Sequence, residues 1–125
     1  MSTPEGAILK AICQYLSILE SQGKLVYWRQ NNGATYDPRR GIYRKPNGAG
    51  YKAGVPDLCV ILGGRYIGLE VKSATGTQKP EQKALQKLLE GVGAMYVVVR
   101  SVDDVASLFS SLPSLGTHPA LSLGL

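Results

Sequence analysis

Apolar positions along this chain keep two rhythms. Between residues 3 and 22, Ile8, Ile12, Leu16 and Leu19 recur every three or four positions, with Ala11 and Tyr15 adjoining them. That spacing predicts one helix with a single buried face. Ser2 or Thr3 can cap it, Pro4 suits its first turn and Gly23 ends it. The period then shortens. Leu25-Val26-Tyr27-Trp28-Arg29 predicts a strand, with Trp28 as a packing residue. Leu58 to Leu62 is an unbroken apolar run, Gly63-Gly64 suits a two-residue turn, and Arg65 to Lys72 predicts the return strand of a tight hairpin. Pro80 to Glu90 predicts a second helix, with Ala84, Leu85, Leu88 and Leu89 inward and Lys79, Lys83 and Lys87 on the other face, there to meet phosphate or simply to face water. Ala94 to Val99 predicts a strand that a helical crossover places parallel to the 65–72 strand. Ser101-x-x-Asp104 predicts a capping box opening a last helix, Val102 to Leu112.

Residues 31 to 56 keep neither rhythm. They are rich in Gly, Asn, Pro and Tyr, and a connection this long in a small domain is uncommon unless it has a function. Arg39, Arg40, Arg44, Lys45 and Lys52 fall here with Tyr36, Tyr43 and Tyr51 interleaved, and no acid occurs between Pro38 and Pro56. Cations among aromatics suit phosphate contact and stacking, and a solvated hairpin is the plainer alternative. No base-reading motif is present, so recognition by shape and backbone is expected. Gln30-Asn31-Asn32 either faces the site or is a polar strand exit.

Composition narrows the class. The chain has 125 residues, enough for one domain with a real core, and a formal charge of +5 that suggests an anionic partner, nucleic acid first. No stretch is long enough for a membrane span, and no signal peptide is legible. Cys13 and Cys59 sit among apolar residues on predicted elements, which reads as free buried thiols in a reducing cytosol. One histidine, His118 in the tail, disfavours a His-based zinc site or a Ser-His triad. Residues 1–112 are expected to form one domain, with 113–125 a C-terminal tail that is either disordered or uses its leucines to cover an apolar patch on a neighbour.

Chemistry concentrates on the hairpin. Side chains alternate along a strand, so Glu70 and Lys72 share a face, and Asp57 at the mouth of the first strand is folded back toward them. Two carboxylates supply hard oxygen ligands for Mg²⁺ or Mn²⁺. A lysine beside them can orient or help deprotonate a water, or hold a phosphate oxygen. The plain alternative is an exposed Glu/Lys pair of little energetic weight. Ser2-x-x-Glu5 reads as a capping box.

Gly54-Val55-Pro56-Asp57 followed by Glu70-Val71-Lys72 resembles the PD-(D/E)xK nuclease superfamily. With Thr3-Pro4-Glu5, Lys79-Pro80-Glu81-Gln82 and Val97-Val98-Val99-Arg100-Ser101 in this order, the chain more specifically resembles the VRR-NUC family in its small stand-alone form found in phages and bacteria. The resemblance runs from about residue 3 to residue 109. It implies an α/β, restriction-endonuclease-like core: a mixed β-sheet flanked by helices, in the order α-β-(loop or hairpin)-β-β-α-β-α. It further implies a metal-dependent DNA endonuclease. Asp57, Glu70 and the Val71 carbonyl would ligate Mg²⁺ or Mn²⁺, Lys72 would serve the attacking water, and Glu5 and Gln82 would be auxiliary. Small relatives imply a homodimer acting on branched DNA, as Holliday junction resolvases do. A less selective nuclease for flaps, single strands or nicks, and a catalytically silent binding module, are the alternatives. Arg100 can be a phosphate ligand or a partner for Asp103.

Overall fold

The computed structural model describes residues 3–30, 35–44 and 48–113. Helix α1 is Pro4–Ser21, and strands β1 (Val26–Arg29), β2 (Thr35–Asp37), β3 (Ile42–Arg44), β4 (Leu58–Leu62) and β5 (Arg65–Val71) follow. Helix α2 (Pro80–Gly91), strand β6 (Met95–Val99) and helix α3 (Val102–Ser111) complete the order. The main sheet runs β1-β4-β5-β6. Its first three strands are antiparallel, and β6 joins β5 in parallel after the α2 crossover. This is the expected mixed α/β arrangement. Within the 31–56 stretch, β2 and β3 form an antiparallel hairpin of their own.

The alternating pattern decides which face is filled. Leu58, Val60, Ile67, Leu69, Val71 and Val99 point to one face and pack under Ile12 and Leu16 of α1 and Val105 of α3. Full burial of an aliphatic side chain contributes roughly 1.5–3 kcal/mol, so this layer carries much of the stability. Gly63 and Gly64 both take positive φ, +59° and +75°, as a tight hairpin turn requires. Cys59, Tyr66, Gly68, Glu70 and Tyr96 point to the opposite face, where α2 packs against β6.

Several local expectations are corrected. Trp28 is 43% exposed rather than packed, because β1 lies at the sheet edge. Its indole N–H donates to Gln30 Oε1 at 3.3 Å. Of the two candidate caps, Thr3 holds α1, its Oγ1 accepting the Gly6 N–H at 2.9 Å. Glu5 therefore stands one position too early to close a capping box. On α2 the buried positions are Gln82 and Leu85, while Leu88 is exposed, since the helix meets the sheet only along one edge. Half of the α3 box forms: Ser101 Oγ accepts from Asp104 N, but Asp104 Oδ2 accepts from Arg100 N rather than Ser101 N. Cys59 is buried and Cys13 half-buried, both free thiols.

Both sheet edges are met by a helix side chain. Glu20 Oε2 accepts the outward N–H of Tyr27 on β1 at 3.0 Å. Gln86 donates to the outward carbonyl of Tyr96 on β6 at 3.1 Å. No helix among the described residues is long and apolar enough to cross a membrane. The proposed tail lies, from residue 114, outside the described residues.

Candidate active site

The segment Gly54-Val55-Pro56-Asp57 is shaped by two glycines and a proline. Gly54 has φ +82°, and a Cβ there would stand 2.2 Å from the Glu81 carbonyl oxygen. Only a glycine lets this backbone touch the first turn of α2. The Gly54 carbonyl accepts the Tyr96 hydroxyl at 2.8 Å. Pro56 is fully buried and sits over Gly68, where a Cβ would come within 2.6 Å of the proline ring. Proline fixes its own φ and keeps the preceding residue extended, so the segment arrives at β4 in one direction.

Asp57 is then held twice. Its carbonyl accepts the Gln30 N–H at 2.8 Å, adding a step to the β1–β4 ladder. Its carboxylate Oδ2 accepts the Val71 N–H at 2.8 Å. In an extended strand the N–H and C=O of one residue leave on the same side, so the Val71 carbonyl also turns toward Asp57. The β4–β5 ladder ends at Leu58–Leu69, short of this position.

Glu70 is 2% exposed and Lys72 6% exposed. Their charged ends lie 3.3 Å apart, Lys72 Nζ to Glu70 Oε2. Glu70 Oε1 is buried without any protein partner. Burial above all, and then the Asp57 carboxylate, push the Glu70 carboxyl up to about 7, against the pull of Lys72. The Tyr96 phenol is pushed up by burial first and by Glu70 and Asp57 next, so it stays a hydrogen-bond donor. A desolvated carboxylate with one oxygen unshared, facing a second carboxylate, is an arrangement that a hard cation completes. The donor set fits Mg²⁺ or Mn²⁺.

The fold thus brings Asp57, Glu70, Val71 and Lys72 together at one end of the sheet. Glu5 lies in the first turn of α1, and among the described residues no group of three acidic, His or Cys side chains could together hold a metal ion. Gln82 is 8% exposed, and its Oε1 accepts the Lys79 N–H at 2.9 Å. Gln82 is thus buried rather than a surface amide, and it braces the start of α2. Tyr51, Gly54, Val55, Lys79 and Gln82 line a cleft of about 490 Å³ beside it.

Of the basic stretch, Arg39, Arg40 and Lys52 are exposed and Tyr51 is 43% exposed. Arg40 stands 4.0 Å from Asp37, whose Oδ1 accepts the Arg39 N–H. Lys45 and the Arg44 side chain lie outside the described residues. Arg100 partners neither Asp103 nor open solvent alone: its Nη1 donates to the carbonyls of Ser73 and Gly76, at 2.5 and 2.7 Å, clamping the turn that follows Lys72. The contribution of Tyr96 was not legible beforehand. The one signal was a hydroxyl-bearing ring in a strand otherwise made of Met and Val.

Comparison with solved structures bears on the architecture. A structure described as "VRR_NUC domain" is similar to this chain with a TM-score of 0.62 at 23% identity, over 90% of this chain and 100% of the other. A second, "VRR_NUC domain protein", aligns with a TM-score of 0.48 at 22% identity, over 85% of this chain and 90% of the other. No family model and no curated protein matches the chain. The first likeness gives this chain the fold of a VRR_NUC domain, the restriction-endonuclease-like α/β core expected from the motif order.

Proposed function

We propose that the chain is a metal-dependent DNA endonuclease of the VRR-NUC family. One observation carries the reading: Glu70, almost wholly buried, keeps an unpartnered oxygen beside Asp57 and Lys72 at the end of a VRR_NUC-like hairpin. A purely structural Glu-Lys pair would have no reason to leave that oxygen bare. Asp57 and Glu70, with the Val71 carbonyl, would hold Mg²⁺ or Mn²⁺. Such an ion supplies Lewis acidity, neutralising charge on a scissile phosphate and making a water easier to deprotonate.

The chain's own groups do the rest. Asp57 and Glu70 fix where the phosphate sits relative to the sheet end. Lys72, anchored by its backbone N–H to the Val99 carbonyl at 3.0 Å, presents its ammonium to the attacking water or to a non-bridging oxygen. Attack is in line and leaves 5′-phosphate and 3′-hydroxyl ends. Arg39, Arg40, Lys52 and Tyr51, with Arg44 and Lys45 of the same stretch, receive the DNA backbone leading to Asp57. Gln82 braces α2 beside the 54–57 segment, and Glu5 has an auxiliary place at the start of α1. The enzyme acts as a homodimer on branched DNA, since a two-fold pair presents two equal sites to the arms of a junction.

A Mg²⁺/Mn²⁺ cleavage panel over four-way junction, flap, single strand and duplex tests this, with Asp57→Ala and Lys72→Ala proteins as controls. Junction cleavage that both substitutions abolish is the expected result. Equal cutting by all three proteins would be contamination, and the chain would then be a binding module. Equal cutting of junction and linear duplex by the parent alone would replace junction specificity by a broader nuclease.

A further inference from the structure

Tyr96 stands in a strand of aliphatics, is 1% exposed, and sends its hydroxyl across the sheet face to a carbonyl 42 positions earlier. A buried phenol needs a partner, and here the partner is the first residue of the Gly54–Asp57 segment. We propose that Tyr96 is a positioning residue for Asp57, acting through Gly54. The inference rests on the reading of Asp57 as a metal ligand and extends it to a residue that touches neither metal nor DNA.

The segment is pinned in sequence. Gly54 lies against the Glu81 backbone with no room for a Cβ, and its carbonyl is fixed by the Tyr96 hydroxyl. Pro56 has a locked φ and occupies the notch that Gly68 leaves in β5. Asp57 is tied to Gln30 through its carbonyl and to Val71 through its carboxylate. Gly54 is conformationally the loosest of the four residues. Tyr96 therefore restrains the segment where it would otherwise have most freedom, and with Pro56 rigid, a shift at Gly54 is passed on to Asp57. The phenol lies on the face that carries Glu70, so one side chain relates the two carboxylate-bearing elements.

The test compares the full-length parent and Tyr96→Phe, a change that keeps the ring and removes only the hydroxyl. Mn²⁺ alone is titrated by calorimetry, and junction cleavage is followed against Mn²⁺ concentration. Loss of one hydrogen bond to a buried carbonyl predicts a Mn²⁺ dissociation constant raised about tenfold. The half-saturating Mn²⁺ concentration for cleavage rises in parallel, while kcat at saturating Mn²⁺ stays within about twofold. Three results overturn the proposal: a dissociation constant within about twofold of the parent, a kcat that falls with Mn²⁺ affinity unchanged, or a Tyr96→Phe protein that does not fold. In the last case the phenol is a prop of the whole core. An Asp57→Ala protein separates the two levels. If it binds Mn²⁺ as the parent does, the metal reading itself fails. If it loses Mn²⁺ and Tyr96→Phe does not, only the role of Tyr96 fails.

Discussion

The Asp57 carboxylate accepts the Val71 backbone N–H at 2.8 Å, beyond the point where the β4–β5 ladder ends. A side chain thus takes over from the backbone in holding two strand ends together, and the same side chain faces Glu70. Charge and hydrogen bonding at Asp57 are separable. Asp57→Asn keeps an acceptor for Val71 and loses the charge; Asp57→Ala loses both. The Asn protein should melt close to the parent, and the Ala protein should be about 1–3 kcal/mol less stable because a buried N–H is left bare. Cleavage should fall about a hundredfold or more in both. Urea melts beside a single-turnover assay check this, and equal stability of the two variants would show that the Val71 bond contributes little.

Glu70 makes the metal-free protein sensitive to pH. Its carboxyl is raised to about 7 in the folded chain from an ordinary 4.5, chiefly by burial and next by Asp57. The folded state therefore binds a proton that the unfolded state has released, and this contribution is present in full below about 4.5 and lost as pH rises through 7. In chelator, the melting temperature should fall between pH 6 and pH 8. Glu70→Gln should remove that fall, and Mn²⁺ should restore stability to the parent at pH 8. A flat profile for the parent in chelator would contradict the environment assigned to Glu70.

Gly68 keeps β5 open for Pro56. A Cβ at Gly68 would sit 2.6 Å from the ring of Pro56, which is itself fully buried, so one of the two must shift. Gly68→Ala should cost about 1–3 kcal/mol of stability, typical of overpacking, and weaken Mn²⁺ binding with it. Chemical denaturation together with a Mn²⁺ titration measures both. An unperturbed Gly68→Ala protein would mean that the 54–57 segment can shift freely.

The exposed cations of the long connection should reveal themselves through salt. If Arg39, Arg40 and Lys52 each neutralise a phosphate, replacing all three by Ala lowers the slope of log K against log salt by about 2 to 3 units on duplex DNA. Binding in EDTA, where no cutting occurs, gives the slope directly. An unchanged slope would place the DNA on another face.

Much of the frame was legible because period and punctuation agree. The 58–72 hairpin is a β-branched run, two glycines and a return strand, and nothing in its neighbourhood competes with that reading. The pairing of Glu70 and Lys72 follows from strand alternation alone. What failed was coverage. Local pattern points Trp28 and Leu88 inward, but β1 is an edge strand and α2 touches the sheet only along β6. Which side of an amphipathic element is covered depends on its neighbours, and a window of ten residues does not contain them. Long-range polar contacts were out of reach for the same reason. Arg100 serves carbonyls at Ser73 and Gly76, and Tyr96 serves Gly54, each across a crossover or more.

Glu20 and Gln86 have a consequence for assembly. Exposed strand margins invite another chain to zip alongside, and each of these side chains already occupies a main-chain group that such zipping would need. A second copy is therefore steered away from prolonging the ribbon end to end. A two-fold partnership of the kind proposed for junction cutting would then have to form by some means other than continuous backbone pairing along these strands.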